Sequence, residues 1–351
     1  MFSNKDYFVF PAVRMLQGKT VHFLLSVSSN SLSSLLTADD SGHTLERSQR
    51  KVNKLRVKKF HDYLLNADKK KEAFIVPPLV GNCDQYIIFE EVGETNSGIA
   101  KIPRDAIVKL CDGQHRAAGI SMYAQSSINP FNVPLMLTDN LSLTTRQQFF
   151  SDINNNASKP SATINLSYDN RNVDAQTLKE SFIEKEGYSE IIDFENNIVP
   201  SKSKYWVSFK ALHDATMKFI GTGDSRLSFT DVGVIWDLWI KLTNVHKVRL
   251  VYSSCEYKKE FIQFHAVMVN AYGYMIKLLL SEDSGNTADH VINKISAFID
   301  KSSEHDLESI FLMDNWVGTC VVQDGDSMKI LASISAQRNA AVKLMDLITS
   351  H

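Results

Sequence analysis

A change of texture near residue 170 constrains the fold of this chain more than any other feature. Before it, short apolar runs alternate or stay continuous over four to nine residues, as strands do. After it, apolar residues recur every three to four positions, as on helices packed against a core. Strands are expected at 8–16, 21–27, 73–80, 85–89, 106–111 and 133–137. Helices are expected at 32–36, 45–66, 114–125 and 144–153. A Gly-Asn turn is read at 81–82 and a loop at 96–98. Phe149 and Phe150 are expected to face the core. Val52, Leu55, Phe60, Tyr63 and Leu64 form the apolar stripe of the long basic helix. Beyond residue 170, helical periodicity marks 177–186, 205–220, 230–244, 259–280, 288–302 and 328–350. The fold class is α+β, a mixed α/β N-terminal half with a mainly α-helical C-terminal half, divided as 1–170 and 171–351.

Composition excludes several classes. Lys and Arg number 38 against 40 Asp and Glu, a net charge of −2, so a uniformly basic DNA coat protein is excluded and nucleic-acid contact needs a local basic patch. The first residues lack the basic, apolar and small-residue succession of a secretory leader, and no apolar run is long enough to span a bilayer. A cytoplasmic protein without membrane attachment is expected. Cys83, Cys111, Cys255 and Cys320 are scattered with no CxxC pair, which reads as reduced thiols rather than a metal or disulfide framework. His61, His213 and His265 stand apart from one another and suggest no metal site. Trp206, Trp236, Trp239 and Trp316 read as core.

Asp112, Gly113, Gln114, His115 and Arg116 lie where a strand gives way to a helix. Glycine admits the backbone conformation such a turn requires. The helix start presents amide donors and the positive end of its dipole, a setting suited to phosphate. His115 and Arg116 add donors, and Asp112 caps the helix or holds one of the basic groups. Ala117, Ala118 and Gly119 let another backbone element come close. The bland alternative is a structural Asp-Gly turn. Asp152 and Asn154, after a helix, read as its terminator or as groups that orient Arg116 or a nucleotide. The second basic feature is Arg47, Arg50, Lys51, Lys54, Arg56, Lys58 and Lys59 within thirteen residues. On a helix Arg47, Lys51, Lys54 and Lys58 lie along one stripe, able to follow a nucleic-acid backbone with little sequence discrimination. The bland alternative is a solvated face.

The pentapeptide from Asp112 to Arg116 resembles the signature of the DndB-type DGQHR proteins of DNA phosphorothioation systems. Further similar stretches are Gln49-Arg50, residues 61–64, residues 150–154, and residues 197–202 leading into 209–212. More distantly, Gly113 and Arg116 match the GxxRxxA pattern of the ParB/sulfiredoxin-like fold, with Gly119 where alanine is usual. The resemblance implies a DNA-binding negative transcriptional regulator of a phosphorothioation gene cluster. Its partners would be promoter or phosphorothioated DNA, other modification subunits and a second copy of the chain. The alternative is an enzyme on a ParB/sulfiredoxin-like core, an NTPase or DNA-nicking protein that binds a nucleoside triphosphate with magnesium at Gly113–Arg116. A third reading is an adaptor that tethers modification enzymes to DNA. No cofactor is certain, and the absence of clustered cysteines argues against an iron–sulfur cluster.

Overall fold

A computed structural model describes residues 6–37, 52–127, 129–156, 159–185, 188–200, 202–223, 226–281, 287–325 and 327–350. The chain forms two compact units, Met1–Ser158 and Lys159–His351. Its content of sheet and helix is that of an α+β protein.

The first unit is built on one seven-stranded sheet. Its strands are β1 (Tyr7–Gln17), β2 (Thr20–Ser28), β3 (Leu79–Cys83), β4 (Ile88–Glu91), β5 (Ser97–Pro103), β6 (Val108–Asp112) and β7 (Asn132–Asp139). Their order is β4-β5-β1-β2-β7-β3-β6. Only β3 and β7 pair in parallel; the other neighbours are antiparallel. The helices are α1 (Leu32–Leu35), α2 (Lys54–Lys70), α3 (Gln114–Ser126) and α4 (Leu143–Asn156). Alternate residues Phe23, Leu25 and Val27 of β2 and Val133, Leu135 and Leu137 of β7 point to one face. There they pack with Leu32, Leu64, Ile120 and Tyr123 in a single core.

The structure departs from the sequence pattern at several places. Gly81 and Asn82 lie inside β3, not in a turn. A Cβ on Gly81 would sit 2.7 Å from the Lys109 carbonyl of β6, so glycine is what lets the strands pair at this bulge. Asn82 is buried, and its Oδ1 accepts from Thr138 Oγ1 and the Leu141 N–H, which satisfies it inside a sheet. Residues 73–78 are not strand. Residues 97–98, expected in a loop, open β5, and the turn lies before them. The basic helix begins at Lys54. Asn53 caps it, its side chain accepting from the N–H groups of Leu55 and Arg56. Val52 therefore precedes the helix, and Leu55 is 79% exposed; the buried face is His61, Leu64 and Ala67. Arg47, Arg50 and Lys51 lie outside the described residues. No residue of α4 is buried; Phe149 instead stacks on the buried ring of His22, centroids 6.0 Å apart.

The second unit is mainly helical: α5 (Ala162–Tyr168), α6 (Val173–Glu184), α7 (Phe209–Phe219), α8 (Phe229–Leu242), α9 (Val245–Val251), α10 (Ser254–Glu260), α11 (Ala266–Ser281), α12 (Ala288–Lys301), α13 (Glu304–Ile310) and α14 (Ile334–Thr349). Two short strand pairs interrupt them: β8 (Ile192–Asp193) with β9 (Val207–Ser208), and β10 (Val321–Asp324) with β11 (Ser327–Ile330). The expected helix at 259–280 is two helices, because residues 261–265 leave the helical path and Phe261 bridges to Leu312. The helices expected at 205–220 and 328–350 begin later, after β9 and β11. Trp236, Trp239 and Trp316 are fully buried and Trp206 nearly so. Around them lie Tyr272, Phe264 and Phe311 in edge and tilted ring contacts. Among the described residues, no helix is long and apolar enough to cross a membrane.

Candidate nucleic-acid interface

The strand-to-helix unit around residue 113 forms as its residues dictate. β6 ends at Asp112, Gly113 takes φ 93° and ψ 12°, and α3 starts at Gln114 with no side-chain cap. That left-handed conformation suits glycine. Space adds a second reason, since a Cβ here would lie 2.6 Å from Leu79 Cδ2 and 3.0 Å from Arg116 Nη2.

The side chains of the motif mostly serve the scaffold. Arg116 Nη2 donates to Asp112 Oδ2 at 2.6 Å across the glycine and to the Pro78 carbonyl at 3.3 Å. Both charged side chains keep a quarter to a third of their surface open. Asp112 thus holds Arg116 and does not cap α3. His115 Nε2 accepts the Asn53 N–H at 3.0 Å. In that bond the ring is an acceptor and not the phosphate donor expected from the sequence. Asp152 and Asn154 do not hold Arg116. Asp152 accepts from Gln148, and Asn154 donates to the Phe150 carbonyl, both within α4. Gln114 is half-buried in the first turn of α3.

These contacts place α2 beside α3, in the same direction. At one end Asn53 meets His115. In the middle, the position a Gly119 Cβ would occupy is 3.1 Å from Val57 O and 3.2 Å from His61 N. At the far end, the Asp68 carboxylate accepts from Asn129 Nδ2 at 2.9 Å and Ser127 Oγ at 3.1 Å. These bonds, chiefly that from Asn129, hold its carboxyl below the usual carboxylate range. Two parallel helices therefore present their N-termini side by side, and their dipoles add at one place. Of the small residues expected at 117–119, Gly119 is the one that admits α2. Asn53, Asp68 and Pro78 were not singled out from the sequence. An Asn directly before a basic helix is a capping signal that could have marked the first.

Gly119→Ala should be near neutral. The gain of about 1 kcal/mol for removing a mid-helix glycine offsets the few tenths of an ångström the neighbours must yield. Gly119→Val should cost about 2–4 kcal/mol, because its extra carbons require the α2 backbone to move further than the Cβ alone does. Urea unfolding of both variants measures the difference.

The exposed charge lies at this shared N-terminal end. Lys54, Arg56, Lys58 and Lys59 are all exposed. Neither α2 nor α3 carries an acidic residue in its first turn. Among the described residues, the contacts of α2 basic groups with carboxylates lie further along, His61 Nδ1 with Asp62 and Lys70 with Glu72. A cation in the first turn opposes the helix dipole by about 0.3–1 kcal/mol. The chain thus places positive charge where it costs helix stability, the kind of local conflict found at binding sites. Among the described residues, no group of three or more His, Cys, Asp or Glu side chains is placed to hold a metal ion.

No curated protein and no solved structure matches the chain. The likeness to the ParB/sulfiredoxin-like fold therefore rests on Gly113 and Arg116 alone. The model of the DndB family, described as DNA-sulfur modification-associated, matches residues 10–348. That match spans both units, from β1 to α14, and the chain belongs to the DndB family of proteins associated with DNA sulfur modification.

Proposed function

We propose that this protein is a DNA-binding regulator that represses transcription of the DNA sulfur-modification genes in the cytoplasm. The observation that carries the reading is the paired N-termini of α2 and α3, with four exposed cations and no first-turn acid. An anionic polymer relieves that arrangement. Phosphate groups accept from the first amides of α3, which has no side-chain cap, and pair with Lys54, Arg56, Lys58 and Lys59. Asp112, Gly113 and Arg116 fix the start of α3 and His115 ties it to Asn53 at the start of α2, so they act on DNA through the geometry of the two helices. Such contacts fix the position of the protein on a duplex and leave sequence choice to other groups.

A reporter driven by the promoter of the modification genes tests the regulatory part. The wild-type protein supplied in trans should lower expression, and Lys54→Glu with Arg56→Glu should restore it at equal protein level. Repression that persists in the folded double variant rejects the reading. The same DNA with and without phosphorothioate, in binding assays, reports whether modified DNA is sensed. Calorimetric titration with ATP, CTP and GTP, each with magnesium, tests the nucleotide-switch alternative. Heat of binding that vanishes in Arg116→Ala would favour it over the regulator.

A further inference from the structure

A cavity of about 480 Å³ opens in the helical unit, and none of the residues of the basic interface lines it. Its volume falls within the range of small-molecule sites, which combine apolar walls with a few placed polar groups. Trp206 and Phe264 form one wall, in an edge-on contact with centroids 6.0 Å apart, and the exposed loop of Ile198, Val199 and Pro200 forms another. Lys258, Lys259 and His265 also line it, with Cys255 and Ala266 beside them.

The polar groups there are unusual. Lys258 is half-buried, and its Nζ donates to the Tyr205 carbonyl at 3.0 Å. Burial pushes its pKa below the usual lysine range. No described carboxylate pairs with it within salt-bridge distance. Asp193, whose field favours the ammonium, is committed to the N–H groups of Glu195 and Asn196. A partly desolvated ammonium held by one carbonyl is costly, and an anion offsets that cost. His265 meets the Lys258 carbonyl at 3.0 Å through Nε2. A carbonyl only accepts, so Nε2 carries the proton; burial pushes the ring's pKa down and keeps it neutral. Nδ1 is then an acceptor on a ring that lines the cavity.

We infer that this cavity binds a nucleoside monophosphate group, its base against the Trp206–Phe264 wall and its phosphate on Lys258 and Lys259. An amino group on the base, as in adenine or cytosine, suits the acceptor nitrogen of His265. The group would come from a free nucleotide or from a nucleotide turned out of DNA. The inference does not depend on the α2–α3 reading, since it uses residues of the other unit.

Cys255 supplies the probe, because it lines the cavity and is half-exposed, whereas the other three cysteines are buried. Burial pushes the Cys83 and Cys320 thiols up to about 11. Iodoacetamide should therefore modify Cys255 first, read by peptide mass spectrometry. AMP or CMP at ten times its dissociation constant should slow this reaction about tenfold. Adenosine and inorganic phosphate should protect far less. Lys258→Gln should weaken protection about tenfold or more, and Lys258→Arg should retain most of it. Ala266→Phe, at the exposed rim, should abolish protection without changing the circular dichroism spectrum. Protection by a single-stranded oligonucleotide but not by monophosphates assigns the nucleotide to DNA. The inference is overturned if neither protects at about 5 mM, a concentration above any useful affinity. It is also overturned if protection is equal in Lys258→Gln, or if phosphate alone protects as well as AMP.

Discussion

Gly113→Val should lower the thermal midpoint of the N-terminal unit by about 10 °C. Two costs add at this position. A non-glycine residue in the left-handed region loses about 1–2 kcal/mol, and a β-branched one sits at the upper end. The new side chain also meets Leu79 Cδ2, 2.6 Å from the Cβ position, and overpacking of that kind costs about 1–3 kcal/mol. The sum of about 3–5 kcal/mol converts at about 2–4 °C per kcal/mol for a domain of this size. Gly18 provides the control that separates the two costs. It has φ 59° with nothing within 4 Å of its Cβ position. Gly18→Ala should therefore lose only the conformational part, and Gly113→Ala should lose clearly more. Equal losses at the two sites would show that the contact with Leu79 contributes nothing. The Gly113 change carries a further consequence, because the Cβ position is 3.0 Å from Arg116 Nη2. Displacing that guanidinium breaks its bond to Asp112 and loosens the start of α3.

The strand-turn-helix at residues 108–126 was legible in the sequence because all its determinants are local. An apolar run ends at an Asp-Gly pair, and helical spacing follows at once. The i,i+4 spacing of Asp112 and Arg116 already contained their pairing, although a capping role for Asp112 suited the sequence equally well. The start of α2 was misread because charged residues favour helix on both sides of Asn53, and the cap that ends the competition is a single side chain. Leu55 belonged to the apolar stripe by spacing, yet the helix turns its His61, Leu64 and Ala67 face inward and leaves Leu55 in solvent. β5 was hidden by its polar start at Ser97-Gly98. Glycine is needed there because a Cβ would meet the Glu90 carbonyl of β4, a long-range fact that no local pattern encodes. The parallel pairing of α2 and α3 was out of reach for the same reason: it is fixed by Asn53 with His115 and by Asp68 with Ser127 and Asn129. The cavity beside Lys258 is likewise assembled from loops and helix ends some 60 residues apart in sequence.

The combined variant Lys54→Ala, Arg56→Ala, Lys58→Ala and Lys59→Ala carries the largest effect expected on function. All four side chains are exposed, so the fold should tolerate the change, and removing two first-turn cations should slightly strengthen α2. Each phosphate neutralised by a cation contributes about 0.9 to the slope of log affinity against log salt. Loss of four contacts should make the slope shallower by about 3–4 and weaken duplex binding at physiological salt by about two to three orders of magnitude. The decisive measurement is fluorescence anisotropy of a labelled duplex titrated with wild-type and quadruple-alanine protein between about 50 and 200 mM salt, the range over which such contacts are titrated. A steep wild-type slope that flattens in the variant is the predicted result. Superimposable slopes for two well-folded proteins would contradict the assignment of DNA to the shared helix ends.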